Sequence, residues 1–194
     1  MEAYVPDAVD GAFGASHTRF DTLVGWLSGG EAAGLSHADL EAGLEVDGRA
    51  LLRQLLQDHL DLRAERELRL ADVVDANGHG RGTVEYGHDR GLATVFGEVT
   101  VARIAHRARG RANLYPADAA LNLPAEKHSH GLRRLAAVEA ARGSFDDAAA
   151  AVERATGCGP ANGRSRTSPP GRRRTLMTST PPTPPSWHRM PPCW

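Results

Sequence analysis

Apolar positions recur at helical spacing over most of the first 70 residues and again after residue 128, and between these stretches the period shortens. Phe20, Leu23, Val24 and Leu27 follow an i, i+3, i+4, i+7 pattern and predict an amphipathic helix that Gly29 and Gly30 end. Ser36, with Asp39 three positions on, predicts a reciprocally capped helix start backed by Leu40 and Leu44. A dip at Asp47 and Gly48 is expected to separate it from the most apolar helix of the chain. There Leu51, Leu52, Leu55, Leu56 and Leu60 make a broad face that requires burial, and Arg63, Glu65, Arg66, Glu67 and Arg69 carry the helix onward.

The sequence NGHGRG at residues 77–82 predicts a flexible loop. From Leu92 to Ile104 the alternation of Val95, Phe96, Val99 and Val101 about Gly97 predicts a β-hairpin whose turn the glycine supplies. A lone hairpin is marginal in water, so it must pack on helices. Two short helices in tandem follow. Ser129 is placed to cap the first, with Leu132, Leu135, Ala136 and Val138 on its apolar stripe. Ser144 and Asp147 open the second, with Phe145, Ala148, Val152 and Ala155 on its stripe and Gly157 at its end.

Two short helices and a glycine turn are the order in which a helix-turn-helix presents its first two helices before the recognition helix. A third helix is expected near residue 160. Residues 160–194 instead show no helical period and hold nine of the 12 prolines. The predicted fold class is therefore mainly α with a small β-hairpin. Residues 1–15 form a disordered N-terminus, 16–75 a helical leader and 76–112 a loop and β-hairpin. Residues 113–157 form an incomplete helix-turn-helix-like segment, and 158–194 a disordered basic tail rich in Pro, Arg, Ser and Thr.

Charge divides the chain in the same place. The last 35 residues carry six arginines and no acid, whereas residues 1–159 carry 17 basic against 24 acidic side chains, so the net charge of -1 averages two unlike polymers. An acidic body offers no generic surface for polyanions, because phosphate binding requires a positive patch. The two cysteines, Cys158 and Cys193, lie at or beyond the break, which fits a reducing cytoplasm and excludes a disulfide framework. The N-terminus lacks the basic start and apolar run of a signal peptide, and no segment approaches the ~18 apolar residues of a membrane helix. The expected localisation is cytoplasmic, nucleoid-associated when DNA-bound, with no membrane partner.

FGEVTVARIAHRARG at residues 96–110, then NLYPADAALNLP and HSHGLRRLAAVEAARGSFDDAAAAVERATG, resemble the N-terminal half of bacterial transposases of the ISKra-type insertion-sequence family. The resemblance spans residues 15–157 and is dense from residue 94. It implies an acidic helical leader, a β-hairpin and a helix-turn-helix-like segment ahead of an RNase-H-like DDE domain whose three carboxylates hold catalytic Mg. No stretch here resembles that domain, so the resemblance implies a truncated transposase, inactive by itself and needing no cofactor. GC-rich coding sequence read out of register yields the Pro, Arg, Ser, Thr and Gly seen after Gly157. A frame slip at that point is the expected origin of the tail.

Candidate chemistry narrows to DNA contact. His128 and His130 lack the further ligands that zinc requires and read as a polar helix entry, and His79 and His88 carry no stronger signal. Asp118, Glu126, Asp146 and Asp147 read as caps and solvated faces rather than a two-metal site. Arg133, Arg134, Arg142 and Arg154 are the candidate DNA-binding residues, meeting phosphates and setting register on the duplex. Without a base-reading helix the expected binding is weak and dominated by phosphate. An alternative is a stand-alone DNA-binding regulatory or interaction protein that dimerises through residues 16–70.

Overall fold

The computed structural model describes residues 9–156 of the 194-residue chain. The expected basic tail, the absent third helix, Cys158 and Cys193 lie outside the described residues. The fold is mainly α with one two-stranded antiparallel hairpin. Helices α1 (Val9–Ala12), α2 (Gly14–Ser28), α3 (Gly30–Ala33) and α4 (His37–Glu65) precede strands β1 (Thr83–Thr94) and β2 (Gly97–Arg107). Helices α5 (Pro116–Ala120), α6 (His130–Ala140) and α7 (Phe145–Thr156) follow.

The N-terminal segment departs from expectation, since helix begins at Val9 rather than after residue 15. For α2, which starts at Gly14, a long-range contact contributes. Ser16 is buried and donates both its N–H and its hydroxyl to the Asp58 carboxylate, at 3.1 and 2.5 Å, which pins the start of α2 against the middle of α4.

Helix α4 is likewise one helix of 29 residues, not two parted at Asp47 and Gly48. A mid-helix glycine costs only ~1 kcal/mol relative to alanine, and tertiary contacts hold both halves. Gly43 lies so close to Trp26 that an added Cβ would sit 2.8 Å from the indole, while Ala50 is buried. Ser36 caps this helix by accepting the Asp39 N–H at 3.2 Å. The helix ends at Glu65, short of Arg69, and Glu67 instead turns to the hairpin and accepts the Ile104 N–H at 2.9 Å.

The hairpin is twice as long as its apolar alternation indicates. β1 starts at Thr83, nine residues before Leu92, and the part before Leu92 holds Glu85, His88, Asp89 and Arg90, which give no period-two apolar signal. Pairing there comes from β2. An extra residue in β1 shifts the register between Glu85 and His88, with Gly87 at φ +74°. The core lies where α4 crosses the turn half of the hairpin: Leu60 packs with Leu92, Val99 and Val101, and Leu56, Leu121 and Leu123 close around them. On the outer edge of β2, the Gln57 amide accepts the Thr100 N–H at 2.8 Å and donates to the Thr100 carbonyl at 3.0 Å.

Gly97 supplies the turn. Its φ is +119°, and an added Cβ would lie 2.9 Å from the Arg53 side chain. Gly97→Ala is expected to cost about 1 to 2 kcal/mol, read as a lower urea midpoint with an unchanged slope. An unchanged midpoint would mean that the turn relaxes freely.

The part of the broad leucine face that reaches the core is smaller than its spacing requires. Leu60 is buried and Leu56 half-buried, but Leu52 and Leu55 stay exposed. The stripes of the last two helices also shift. In α6 Leu132 is buried while Val138 is exposed, and α7 buries Ala148, Val152 and Thr156 while Phe145 and Ala155 face outward. Packing on α6 selects this i, i+4, i+8 row in place of the row through Phe145.

A polar cluster joins the hairpin to the segment that leads into α6. Asp118 sits in the first turn of α5, but its half-buried carboxylate is not a free surface acid: Arg103 donates to it at 2.5 Å and Arg90 at 3.5 Å. The Arg103 guanidinium also lies over the Tyr115 ring, 3.9 Å from its centroid, and Arg90 donates to the carbonyls of Pro124 and Glu126. This fixes the backbone immediately before Lys127.

Candidate nucleic-acid interface

Two anchors set the direction of α6. Ala93 of β1 donates its N–H to the Lys127 carbonyl at 2.8 Å and accepts from the Ser129 N–H at 2.9 Å, a short parallel bridge on the sheet edge. Ser129 then turns its hydroxyl to the Leu132 N–H at 3.2 Å, the cap that its position predicts. With Leu132 buried behind it, the first turn of α6 emerges beside the hairpin turn with its N-terminus outward.

That end is basic. Arg133 and Arg134 occupy the first turns of α6, preceded by Lys127, His128 and His130, and the first turn holds no acid. Arg133 pairs with Glu126 at 2.9 Å, but both side chains are at least half exposed, and such pairs are worth ~0 to 1 kcal/mol. An approaching phosphate can displace the carboxylate. Arg134 is exposed on the side of α6 away from Leu132, and no ion pair or hydrogen bond of its side chain is found among the described residues. The positive end of the helix dipole adds to the same field.

The four candidate arginines do not form one group. Arg142 follows the C-terminus of α6, roughly 14 Å along the axis from Arg133 at 1.5 Å per residue. There it pairs with Glu139 at 2.8 Å and complements the negative end of the helix. Arg154 lies in the last turn of α7, exposed, within the electrostatic reach of Asp147. Lys127 has no signal in sequence, because what ties it to the start of α6 is the β1 bridge that holds its carbonyl on the Ala93 N–H.

The N-terminus of α7 has the opposite character. Ser144 donates its hydroxyl to Asp147 at 2.7 Å and accepts the Asp147 N–H at 3.2 Å, the reciprocal cap predicted for this pair. Hydrogen bonds from the Ser144 hydroxyl and then its N–H hold the Asp147 carboxyl below its ordinary pKa. With Asp146 beside it, this helix start is acidic, and the nearest basic side chain of α7 is Arg154 in its last turn.

The chain matches no protein-family model, no characterised protein and no solved structure.

Among the described residues no group of three or more His, Cys, Asp or Glu could hold a metal ion. His79 contacts Asp75 at 3.2 Å, His88 contacts Glu85 at 3.2 Å, and the His130 ring nitrogen lies 3.1 Å from the Asn122 carbonyl. An open recess of about 530 Å³, mostly apolar, lies between residues 70–74 and 114–116. No described helix is long and apolar enough to cross a membrane.

Proposed function

We propose that the chain handles DNA as the N-terminal part of an insertion-sequence transposase, holding phosphates at the start of α6. The observation that carries this reading is Arg134, exposed and with no acidic partner among the described residues, near the N-terminus of a helix that has no acid in its first turn. Arg133 joins the contact by exchanging Glu126 for phosphate, and Arg142 and Arg154 contribute from the flanks. Such contacts position a duplex without reading its sequence. The expected dissociation constant is on the order of 10⁻⁴ to 10⁻⁶ M at physiological salt.

Fluorescence anisotropy with a labelled duplex, repeated over a series of salt concentrations, tests this. The Lys127→Ala/Arg134→Ala chain should bind more weakly and lose roughly two units of slope in log K against log salt, since each phosphate contact contributes ~0.9. An unchanged slope in that variant would reject the α6 site. A second reading, a regulatory DNA-binding protein acting as a dimer, uses the same contacts. The uncovered leucines of α4 favour it.

A further inference from the structure

Basic side chains gather at a second place, the end of the hairpin remote from its turn. No acid occurs in the sequence between Glu98 and Asp118, a stretch that holds Arg103, Arg107, Arg109 and Arg111 although acids outnumber bases in the body as a whole. Arg103 turns inward to Asp118, and Arg107 pairs with Glu85. Arg109 and Arg111 are exposed, and no ion pair or hydrogen bond of either side chain is found among the described residues.

The turn that carries them, at residues 108–112, is held from both sides. His106 and Leu114 exchange both backbone hydrogen bonds at 2.9 Å and close its base. The Arg111 N–H donates to the Ala108 carbonyl at 3.2 Å, and Gly110 takes a φ of +69°. Arg81, which is buried, donates to the Ala112 carbonyl at 3.2 Å and to Asp75 at 2.9 Å. That pair compensates the Asp75 charge, so this acid leaves the positive field of the turn intact. A turn fixed before binding loses little conformational freedom when a ligand arrives.

We propose that Arg109 and Arg111 form a second phosphate contact on the same duplex that the start of α6 holds, about one turn of B-DNA away. The inference rests on the DNA-binding reading of α6. Spacing is what selects a duplex. Ala93, bridged to His128, faces Glu98 across the hairpin, and Thr83 faces Arg107 at the other end. The strand from Glu98 to Arg107 spans about 30 Å at ~3.3 Å per residue, and the basic turn lies just beyond it. One turn of B-DNA measures ~34 to 36 Å. The two basic places are therefore spaced like phosphates of one strand that face the same way.

The way between them is open on the β1 side, because α4 occupies the β2 edge through Gln57 and Glu67. Glu85 and Asp89 stand along β1. Glu85 pairs with Arg107. Asp89 is exposed midway, where a straight duplex turns a groove rather than a backbone strand to the protein.

Fluorescence anisotropy of the full chain with duplexes of ~8 and ~20 base pairs, roughly 27 and 68 Å long, tests the proposal. Only the longer one reaches both places. On it, Arg109→Ala/Arg111→Ala should lower the slope of log K against log salt by roughly two units and weaken binding tenfold or more at ~0.1 M salt. On the shorter duplex the same variant should keep its slope and change affinity about twofold at most, because each place then binds alone. Both side chains are exposed, so the far-UV circular dichroism spectrum should not change. An unchanged long-duplex slope in this variant, with a reduced one in Lys127→Ala/Arg134→Ala, would overturn the second contact and leave the α6 site standing. Equal losses on both duplexes would make the turn an independent site and overturn the shared duplex. An unchanged slope in both variants removes the two contacts together.

Discussion

Asp118→Ala is expected to destabilise the protein by about 3 to 5 kcal/mol, the cost of leaving buried charge uncompensated. Arg103 and Arg90 have side chains only 9% and 15% exposed, and Asp118 is their shared acid. Removing it leaves two guanidinium groups inside the protein with carbonyls alone to satisfy them. The effect should reach the candidate interface, because Arg90 also holds the Pro124 and Glu126 carbonyls immediately before Lys127. Urea denaturation followed by circular dichroism measures the loss, and the salt slope of DNA binding reads the loosening of α6. A loss below about 1 kcal/mol would place the cluster among solvated surface pairs.

Asp58→Ala should cost on the order of 3 kcal/mol, because the Ser16 N–H and hydroxyl lose their acceptor together in a buried site. The same carboxylate makes stability depend on pH. Burial, the largest single influence, works to raise its pKa. Hydrogen bonds from the Ser16 hydroxyl, the Gln54 amide and the Ser16 N–H, with the Arg19 charge, outweigh it and leave the pKa below its ordinary 3.8.

A folded-state pKa below the unfolded one stabilises the protein fully above the unfolded value, and that contribution disappears as pH falls through the folded value. The thermal midpoint should therefore drop below about pH 4, and Asp58→Asn should flatten part of the drop. Asp75 and Glu85 account for other parts. The His79 N–H is the largest influence lowering Asp75, and the hydrogen bonds from His88 and then Arg107 lower Glu85. An acid profile identical in wild type and Asp58→Asn would remove this carboxylate from the account.

The sequence was most informative where the determinant is local. Ser36, Ser129 and Ser144 each cap the helix that their spacing announces, since a hydroxyl and an N–H three residues on need no distant partner. The hairpin turn was legible because Gly97 takes a φ that other residues avoid. Long-range contacts were not legible. Nothing near Ser16 announces its bond to Asp58, and nothing near Gly48 shows that α4 continues through it. The first half of β1 is polar, so its strand character resides in its partner.

The candidate interface was legible by half. Arg133 and Arg134 could be picked out from their place in an amphipathic helix. The separation of Arg142 from them follows from the length of α6, whereas the placing of Lys127 depends on how the β1 edge receives residues 127–129.

That reception limits how this protein can meet others. β2 gives its outward-facing groups at Thr100, Ile104 and His106 to Gln57, Glu67 and Leu114, and β1 is occupied at Ala93 and kinked at Gly87. A foreign strand finds no continuous row of free amides on which to zip, so the hairpin resists templated fibre growth and recruitment of extended peptides alike.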